Sequence, residues 1–95
     1  MRDYELTVVL SPEIAGEDLD NAIERVSQLI TQKEGVITEV NRWGKRRLAY
    51  PIENFREGNY ALIQLKLQPS RVAELDAKLK SWEEVLRHLL VRLEE

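Results

Sequence analysis

The first stretch of the chain alternates between apolar and polar residues. In residues 3–10 one face of the pattern is apolar, with Tyr4, Leu6, Val8 and Leu10. A period of two predicts a half-buried β-strand. From about residue 17 to residue 34 the spacing becomes that of an amphipathic helix, with apolar residues at Leu19, Ile23, Val26 and Ile30. Gly35 is expected in the left-handed position that ends this helix.

Residues 36–52 predict a second strand, which is long compared with the usual five or six residues. Gly44 is suited to a bulge or bend in it. Pro51 places the strand at a sheet edge, because proline cannot donate to a β-ladder. We expect a turn over residues 54–58 and a third strand over residues 59–67.

A second helix follows, for which Ser70 is a suitable N-cap. Its buried stripe is expected to contain Val72, Leu75, Leu79 and Trp82. Residues 85–93 predict a fourth strand. The order β-α-β-β-α-β with right-handed crossovers predicts an α+β, ferredoxin-like sandwich, a four-stranded antiparallel sheet with two helices on one face. The first and third strands are expected at its centre, and residues 1–95 are expected to form a single domain.

The sheet face without helices is expected to be open to water or to a partner. The alternation places four residues of the first and third strands on it: Val9, Tyr60, Leu62 and Lys66. If Arg87 points outward on the fourth strand, so do Leu89, Val91 and Leu93. The helices then face Leu86, His88 and Leu90. An apolar patch of this kind is either an interaction surface or incidental exposure, and both interpretations stay open.

The amino-acid composition excludes several kinds of active site. The chain has 43% apolar and 33% charged residues, a formal net charge of −3 and no cysteine, which excludes disulfides and thiolate chemistry. His88 is the only histidine, and no serine has a plausible base nearby. We therefore expect no enzyme, no catalytic residue, no metal, no cofactor and no small-molecule substrate. Without a signal peptide or a membrane-spanning run, a cytoplasmic protein is expected.

One window departs from the acidic balance of the chain. Residues 40–52 contain no carboxylate and carry four cations, at Arg42, Lys45, Arg46 and Arg47. Arginine can hold two phosphate oxygens at once, and the rings of Trp43 and Tyr50 offer stacking faces for unpaired bases. The pattern favours an RNA-binding strand. A basic edge that blocks aggregation, or a surface for an acidic protein, remain alternatives.

The same window resembles a known family. The run from Trp43 to Ile52, "WGKRRLAYPI", is similar to the signature of the bacterial small-subunit ribosomal proteins conventionally numbered six. The opening MRDYE, the Gly58-x-Tyr60 start of the third strand and the VLR run at residues 85–87 with Arg92 also resemble that family in place.

This resemblance implies a structural constituent of the small ribosomal subunit, cytoplasmic and ribosome-associated. It implies binding to the central domain (platform) of small-subunit rRNA together with small-subunit ribosomal protein eighteen. With Arg42 added from the charge pattern, the expected RNA contacts are Arg2, Arg42, Lys45, Arg46, Arg47, Tyr50 and Arg87. The expected partner contacts are Trp43, Leu48, Tyr60, Leu62, Leu89 and Val91.

Two departures from the family are visible. Glu53 stands where members usually have a basic or small residue, which weakens the local positive field. The sequence also ends at Glu94-Glu95, short of the tail that many members extend along their partner. The alternative from another class is a ferredoxin-like regulatory or small-ligand module that forms homo-oligomers through its open sheet face.

Overall fold

The structure of the chain, a computed structural model, describes residues 1–93. Its elements are β1 (Arg2–Leu10), α1 (Gly16–Gln32), β2 (Val36–Ile52), β3 (Phe55–Leu67), a 3₁₀ turn (Pro69–Arg71), α2 (Val72–Lys80) and β4 (Val85–Arg92). The terminal Glu94-Glu95, on which the expectation of a short tail rests, lies outside the described residues.

The four strands form one antiparallel sheet in the order β2-β3-β1-β4. The expectation that the first and third strands are central is confirmed, and Pro51 lies on an edge strand as its missing N–H requires. Both helices pack on one face of this sheet, which is the ferredoxin-like arrangement predicted from the element order.

The core lies between the sheet and the helices. The even-numbered side chains of residues 4–10 in β1 and the odd-numbered side chains of residues 59–67 in β3 are buried there, with Leu6, Val8, Ile63 and Leu67 fully covered. The facing stripe of α1 is Ala22, Ile23, Val26, Leu29 and Ile30. From α2 come Leu75 and Leu79, while Val72 and Trp82 pack against the edge of the cluster.

Three local predictions were wrong. The turn is only two residues long, because Glu53 and Asn54 adopt positive φ (50° and 72°) and β3 already begins at Phe55. Ser70 caps no helix, since it lies inside the 3₁₀ turn and α2 has no side-chain cap. At the end of α1 the left-handed residue is Glu34 (φ 64°), not Gly35. A glycine is needed at position 35 for a different reason: there is no room for a side chain, because a Cβ there would be 2.9 Å from the Ile30 carbonyl oxygen.

Gly44 does mark a bend in β2. The pairing with β3 shifts between Arg42 and Gly44, which leaves Trp43 as the extra residue, and Gly44 has a φ of 77°. A bulge of this kind increases the local twist of a strand. Beyond it, β2 and β3 continue as a hairpin that extends past the last paired residue of β1. We call residues 45–58 the β2–β3 hairpin.

Candidate nucleic-acid and partner interface

The β2–β3 hairpin bends over the open face of the sheet. Gly44, Tyr60, Val9 and Arg87 form one row across the four strands. Tyr50 lies further along β2, yet its hydroxyl oxygen accepts a hydrogen bond of 2.6 Å from Nη1 of Arg87 on the opposite edge strand. Val9 points to this open face but is only 4% exposed. The hairpin therefore covers one end of the face.

The four cations of residues 40–52 do not lie in one cluster. Arg42 pairs with Ala61 and so lies on the helix side of the sheet, where its guanidinium forms an ion pair with Asp20 of α1. Lys45, Arg46 and Arg47 lie beyond the bulge and are exposed. Within residues 1–93 no carboxylate is within ion-pair distance of these three cations. They are the residues of the window that remain available to an anion.

Trp43 and Arg46 form a small exposed unit at the bulge. The guanidinium carbon of Arg46 lies 5.8 Å from the centre of the Trp43 ring, and Nε of Arg46 donates to the Trp43 carbonyl oxygen at 3.2 Å. Trp43 is 50% exposed. A flat ring beside an oriented guanidinium suits a nucleic-acid base and its phosphate. The sequence analysis offered Trp43 both as such a stacking face and as a partner contact, and this geometry is compatible with either role.

A second anion-compatible place lies near the tip of the hairpin. A shallow pocket of about 160 Å³ is lined by Arg47, Leu48, Ala49, Tyr50, Pro51 and Arg56. Two guanidinium-bearing residues and a phenol thus share one concave surface. The sequence analysis did not select Arg56, because it placed this residue inside a turn. Arg56 could have been found from the sequence, because it is an arginine close to the basic residues of β2 in the segment that pairs with that strand.

Arg2 lies away from these cations. It pairs with Leu67 at one end of β1, whereas the hairpin extends past Leu10 at the other end. A strand rises about 3.3 Å per residue, so the length of β1 separates them by roughly 25 Å. The structure thus does not bring Arg2 together with the rest of the expected RNA contacts.

The open face beyond the covered row is apolar along β4. Leu62 of β3 and Leu89 of β4 flank Thr7 in one row, and Val91 lies in the next. Leu89 and Val91 are 56% and 44% exposed, and Leu93 continues the strip at the end of the strand. We call Leu62, Leu89, Val91 and Leu93 the apolar strip. The expectation that Leu89 and Val91 point outward is confirmed by the register.

Two of the other predicted partner contacts, Leu48 and Tyr60, are partly covered. Leu48 is half-buried and lies beside Gly58 together with Val9. Tyr60 is also half-buried, in the row that the hairpin crosses. Val9 lies on the open face, as the alternation predicted, but this end of the face is not open to water because the bent hairpin covers it. On β4, Val85 packs against the core where Leu86 was expected, since the ladder is irregular at this point.

An acidic cleft lies at the end of the molecule beside the hairpin tip. It has a volume of about 810 Å³ and is lined in part by four carboxylate residues, Glu13, Glu53, Glu83 and Glu84. Its lysine, Lys80, forms an ion pair with Asp76 at 3.2 Å. Phosphate is repelled from such a surface. Arg47 and Arg56 lie outside this cleft, in the pocket of about 160 Å³ described above.

His88 has a structural partner. Its Nε2 lies 2.6 Å from Oδ1 of Asp76, which ties β4 to α2. The hydrogen bond with His88 and the neighbouring Lys80 lower the pKa of Asp76 below its ordinary value. The imidazole is nearly covered and faces the helices, as expected from the register.

No helix within residues 1–93 is long and apolar enough to cross a membrane.

The fold and this surface define a ferredoxin-like protein that presents a basic hairpin beside an apolar sheet face. The family model described as Ribosomal protein S6 matches residues 3–92, and the chain belongs to this family. It is thus a structural protein of the small ribosomal subunit rather than an enzyme, cytoplasmic and ribosome-associated.

Individual relatives are similar to this chain in sequence over almost its whole length. Small ribosomal subunit protein bS6 of Desulforudis audaxviator is 41% identical over 92 residues, which cover 97% of this chain and 98% of that protein. The Moorella thermoacetica bS6 is 41% identical over 95 residues, covering 100% and 97%. The crystal structure of 30S ribosomal protein S6 from Thermotoga maritima superposes with a TM-score of 0.91 at 31% identity, covering 97% of this chain and 87% of that one.

Proposed function

We propose that this protein binds small-subunit rRNA through the β2–β3 hairpin and docks a second protein through the apolar strip. The resemblance in sequence implies that the RNA is the central domain and that the second protein is small-subunit ribosomal protein eighteen. The observation that supports the proposal most strongly is that Lys45, Arg46 and Arg47 of the hairpin are exposed and have no carboxylate within ion-pair distance in residues 1–93.

The charge on the hairpin limits the strength of RNA binding by this chain alone. With Arg56, four cations are available, and each phosphate contact contributes about −0.7 to −0.9 to the log–log dependence of affinity on salt. We expect a slope of roughly −3. That is a small number of contacts for a protein whose net charge is −3. Tight binding therefore requires a partner.

The apolar strip is where a partner is expected. Leu89 and Val91 are large side chains exposed side by side on an edge strand, with Leu62 in the adjacent part of the sheet. Burial of such side chains contributes about 25 cal/mol per Å² of apolar surface. The strip and the hairpin occupy neighbouring parts of one sheet face, so a protein on the strip can also contact RNA held by the hairpin.

The test measures binding to a transcript of the small-subunit rRNA central domain, with and without purified small-subunit protein eighteen. We expect at least a tenfold higher affinity when that protein is present. Arg46→Ala with Arg47→Ala should lower affinity at least tenfold and reduce the magnitude of the salt slope by roughly 1.5. The melting temperature of this variant should change little, because neither cation has an ion-pair partner within residues 1–93.

The matched control is Lys78→Ala with Lys80→Ala. It removes the same charge from exposed positions on α2, on the other side of the sheet. RNA affinity should stay close to that of the wild type. An equal loss in both double variants would show that only overall charge matters. Equal affinity with and without the second protein would refute the partner requirement, and a large stability loss in the arginine variant would favour a protective edge strand.

A further inference from the structure

Tyr50 and Arg87 are both expected RNA contacts, but in the structure they contact each other. Nη1 of Arg87 donates to the Tyr50 hydroxyl at 2.6 Å, and the guanidinium carbon lies 5.9 Å from the centre of the Tyr50 ring. One side chain belongs to β2 and the other to β4, the two opposite edges of the sheet. This contact joins elements that no backbone pairing connects.

The distance between the edges shows what the contact requires. Adjacent strands lie about 4.8 Å apart, so β2 and β4 are separated by roughly 14 Å in a flat sheet. Direct hydrogen bonding between their side chains therefore requires the distal part of β2 to bend over β3 and β1. Gly44 provides the bend, and Val9, in the row beneath, is covered as a result.

We propose that Tyr50 and Arg87 form a clasp that holds the β2–β3 hairpin across the sheet, and that they are positioning residues for RNA binding rather than two independent RNA ligands. This inference rests on the proposed function. The clasp fixes the direction in which Arg46, Arg47 and Arg56 point, so that RNA meets a pre-formed surface. A pre-formed surface avoids the ordering cost that a mobile hairpin would add to binding.

Exposure of both residues is consistent with this role. Tyr50 remains 56% exposed although its hydroxyl is bonded, so the hydrogen bond rather than burial fixes its position. Within residues 1–93 Arg87 has no carboxylate within ion-pair distance. A hydrogen bond from a charged donor is stronger than one between neutral groups, which makes this single contact sufficient to bias the orientation of a two-stranded hairpin.

The experiment is a double-mutant cycle with Tyr50→Phe and Arg87→Met. Tyr50→Phe keeps the aromatic ring and deletes only the hydroxyl, while Arg87→Met keeps much of the aliphatic chain and deletes the donor. RNA affinity is measured on the central-domain transcript. If the two residues act as a clasp, each single variant weakens binding about fivefold, the size expected for loss of one typical solvent-exposed hydrogen bond, and the double variant binds no worse than the weaker-binding single variant.

If both residues are separate RNA ligands, the two losses multiply instead, to about 25-fold, and the clasp is refuted. The control cycle uses Tyr50→Phe with Arg92→Met. Arg92 is an exposed cation on the same strand that faces the other side of the sheet, opposite Tyr4. Any effect of Arg92→Met on RNA affinity should be the same in the presence and absence of the Tyr50 hydroxyl.

A second measurement does not depend on RNA. Amide hydrogen exchange in residues 45–58 should become faster by a similar factor in both single variants and in the double variant, while exchange in the centre of β1 stays unchanged. Unchanged hairpin exchange would refute the clasp even if RNA binding fell. If the wild type fails to bind RNA, the proposed function fails, and hydrogen exchange still decides whether the clasp exists.

Discussion

Gly58 offers the sharpest test of how the hairpin packs on the sheet. It pairs with Arg46 in the hairpin and is buried. A Cβ at this position would lie 2.4 Å from Cγ1 of Val9 and 3.6 Å from Cδ2 of Leu48. Carbon atoms pack best at about 3.5–4.0 Å. Gly58→Ala therefore forces Val9 or the hairpin to move by about 1 Å.

The magnitude follows from two opposing effects. Overpacking of a closely packed site costs about 1–3 kcal/mol. Replacing glycine with alanine also restricts the unfolded chain, which stabilises the folded state by about 0.4–1 kcal/mol. We expect Gly58→Ala to lower the free energy of unfolding by about 1–2 kcal/mol. For a chain of this size, each 1 kcal/mol corresponds to about 4–8 °C in melting temperature.

The decisive comparison is made in a Val9→Ala background. Val9→Ala alone should lower the free energy of unfolding by about 2 kcal/mol, because it removes buried methyl groups. It also removes the Cγ1 atom that the new Cβ would meet. In that background Gly58→Ala should therefore be neutral or slightly stabilising. Urea unfolding of the four proteins in the cycle measures the coupling directly.

Gly44→Ala is the matched control. No heavy atom lies within 4 Å of a Cβ at Gly44, and its φ is 77°. The cost of alanine there, about 1–2 kcal/mol, comes from the backbone and should be the same in the wild-type and the Val9→Ala backgrounds. If Gly58→Ala costs the same in both backgrounds, the hairpin does not pack on Val9 as described, and the reasoning is wrong.

Two further predictions concern stability. Asn59→Ala should lower the free energy of unfolding by about 1–3 kcal/mol, because the buried Asn59 Nδ2 donates to the carbonyl oxygens of Ser11 (2.9 Å) and Ile14 (3.0 Å). Asn59→Asp should cost more, since a carboxylate would face those oxygens, and urea unfolding of both variants checks the order. The hydrogen bond with His88 lowers the pKa of Asp76 from its ordinary 3.8, so its contribution is complete above that value and is lost as the pH falls through the lower folded-state pKa. The difference in unfolding free energy between wild type and Asp76→Asn should therefore shrink as the pH falls below about 4, and a difference that grows with acidification would contradict this assignment.

Much of the sheet was predictable because its pattern is local. The alternation at Tyr4, Leu6 and Val8 assigns β1 to the core face. Pro51 placed β2 at an edge, since a proline cannot complete a ladder. The element order then left few topologies. These inferences depend on neighbouring residues and on general rules of connection, so one sequence is sufficient for them.

The parts that were missed depend on contacts through space or on unfavourable local conformations. Glu53 adopts a positive φ without being glycine, so the turn was placed too late and Arg56 was overlooked. The ion pair of Arg42 with Asp20 joins residues far apart in sequence. The contact between Tyr50 and Arg87 requires a bent hairpin, which an alternation pattern does not encode.

The pairing of β1 with distant strands has a consequence for the speed of folding. Only β2 and β3 are joined by a short turn; Arg2 of β1 pairs with Leu67 of β3, and Tyr4 pairs with Arg92 of β4. Each of these ladders closes a long loop before it gains contacts, and folding becomes slower as the share of such non-local pairings rises. The hairpin can form early, because its strands are joined by a short turn. The sheet face over which it bends exists only after β1 has paired with β3 and β4. We therefore expect the surface proposed for RNA to be complete only after β1 has paired with both of its neighbours.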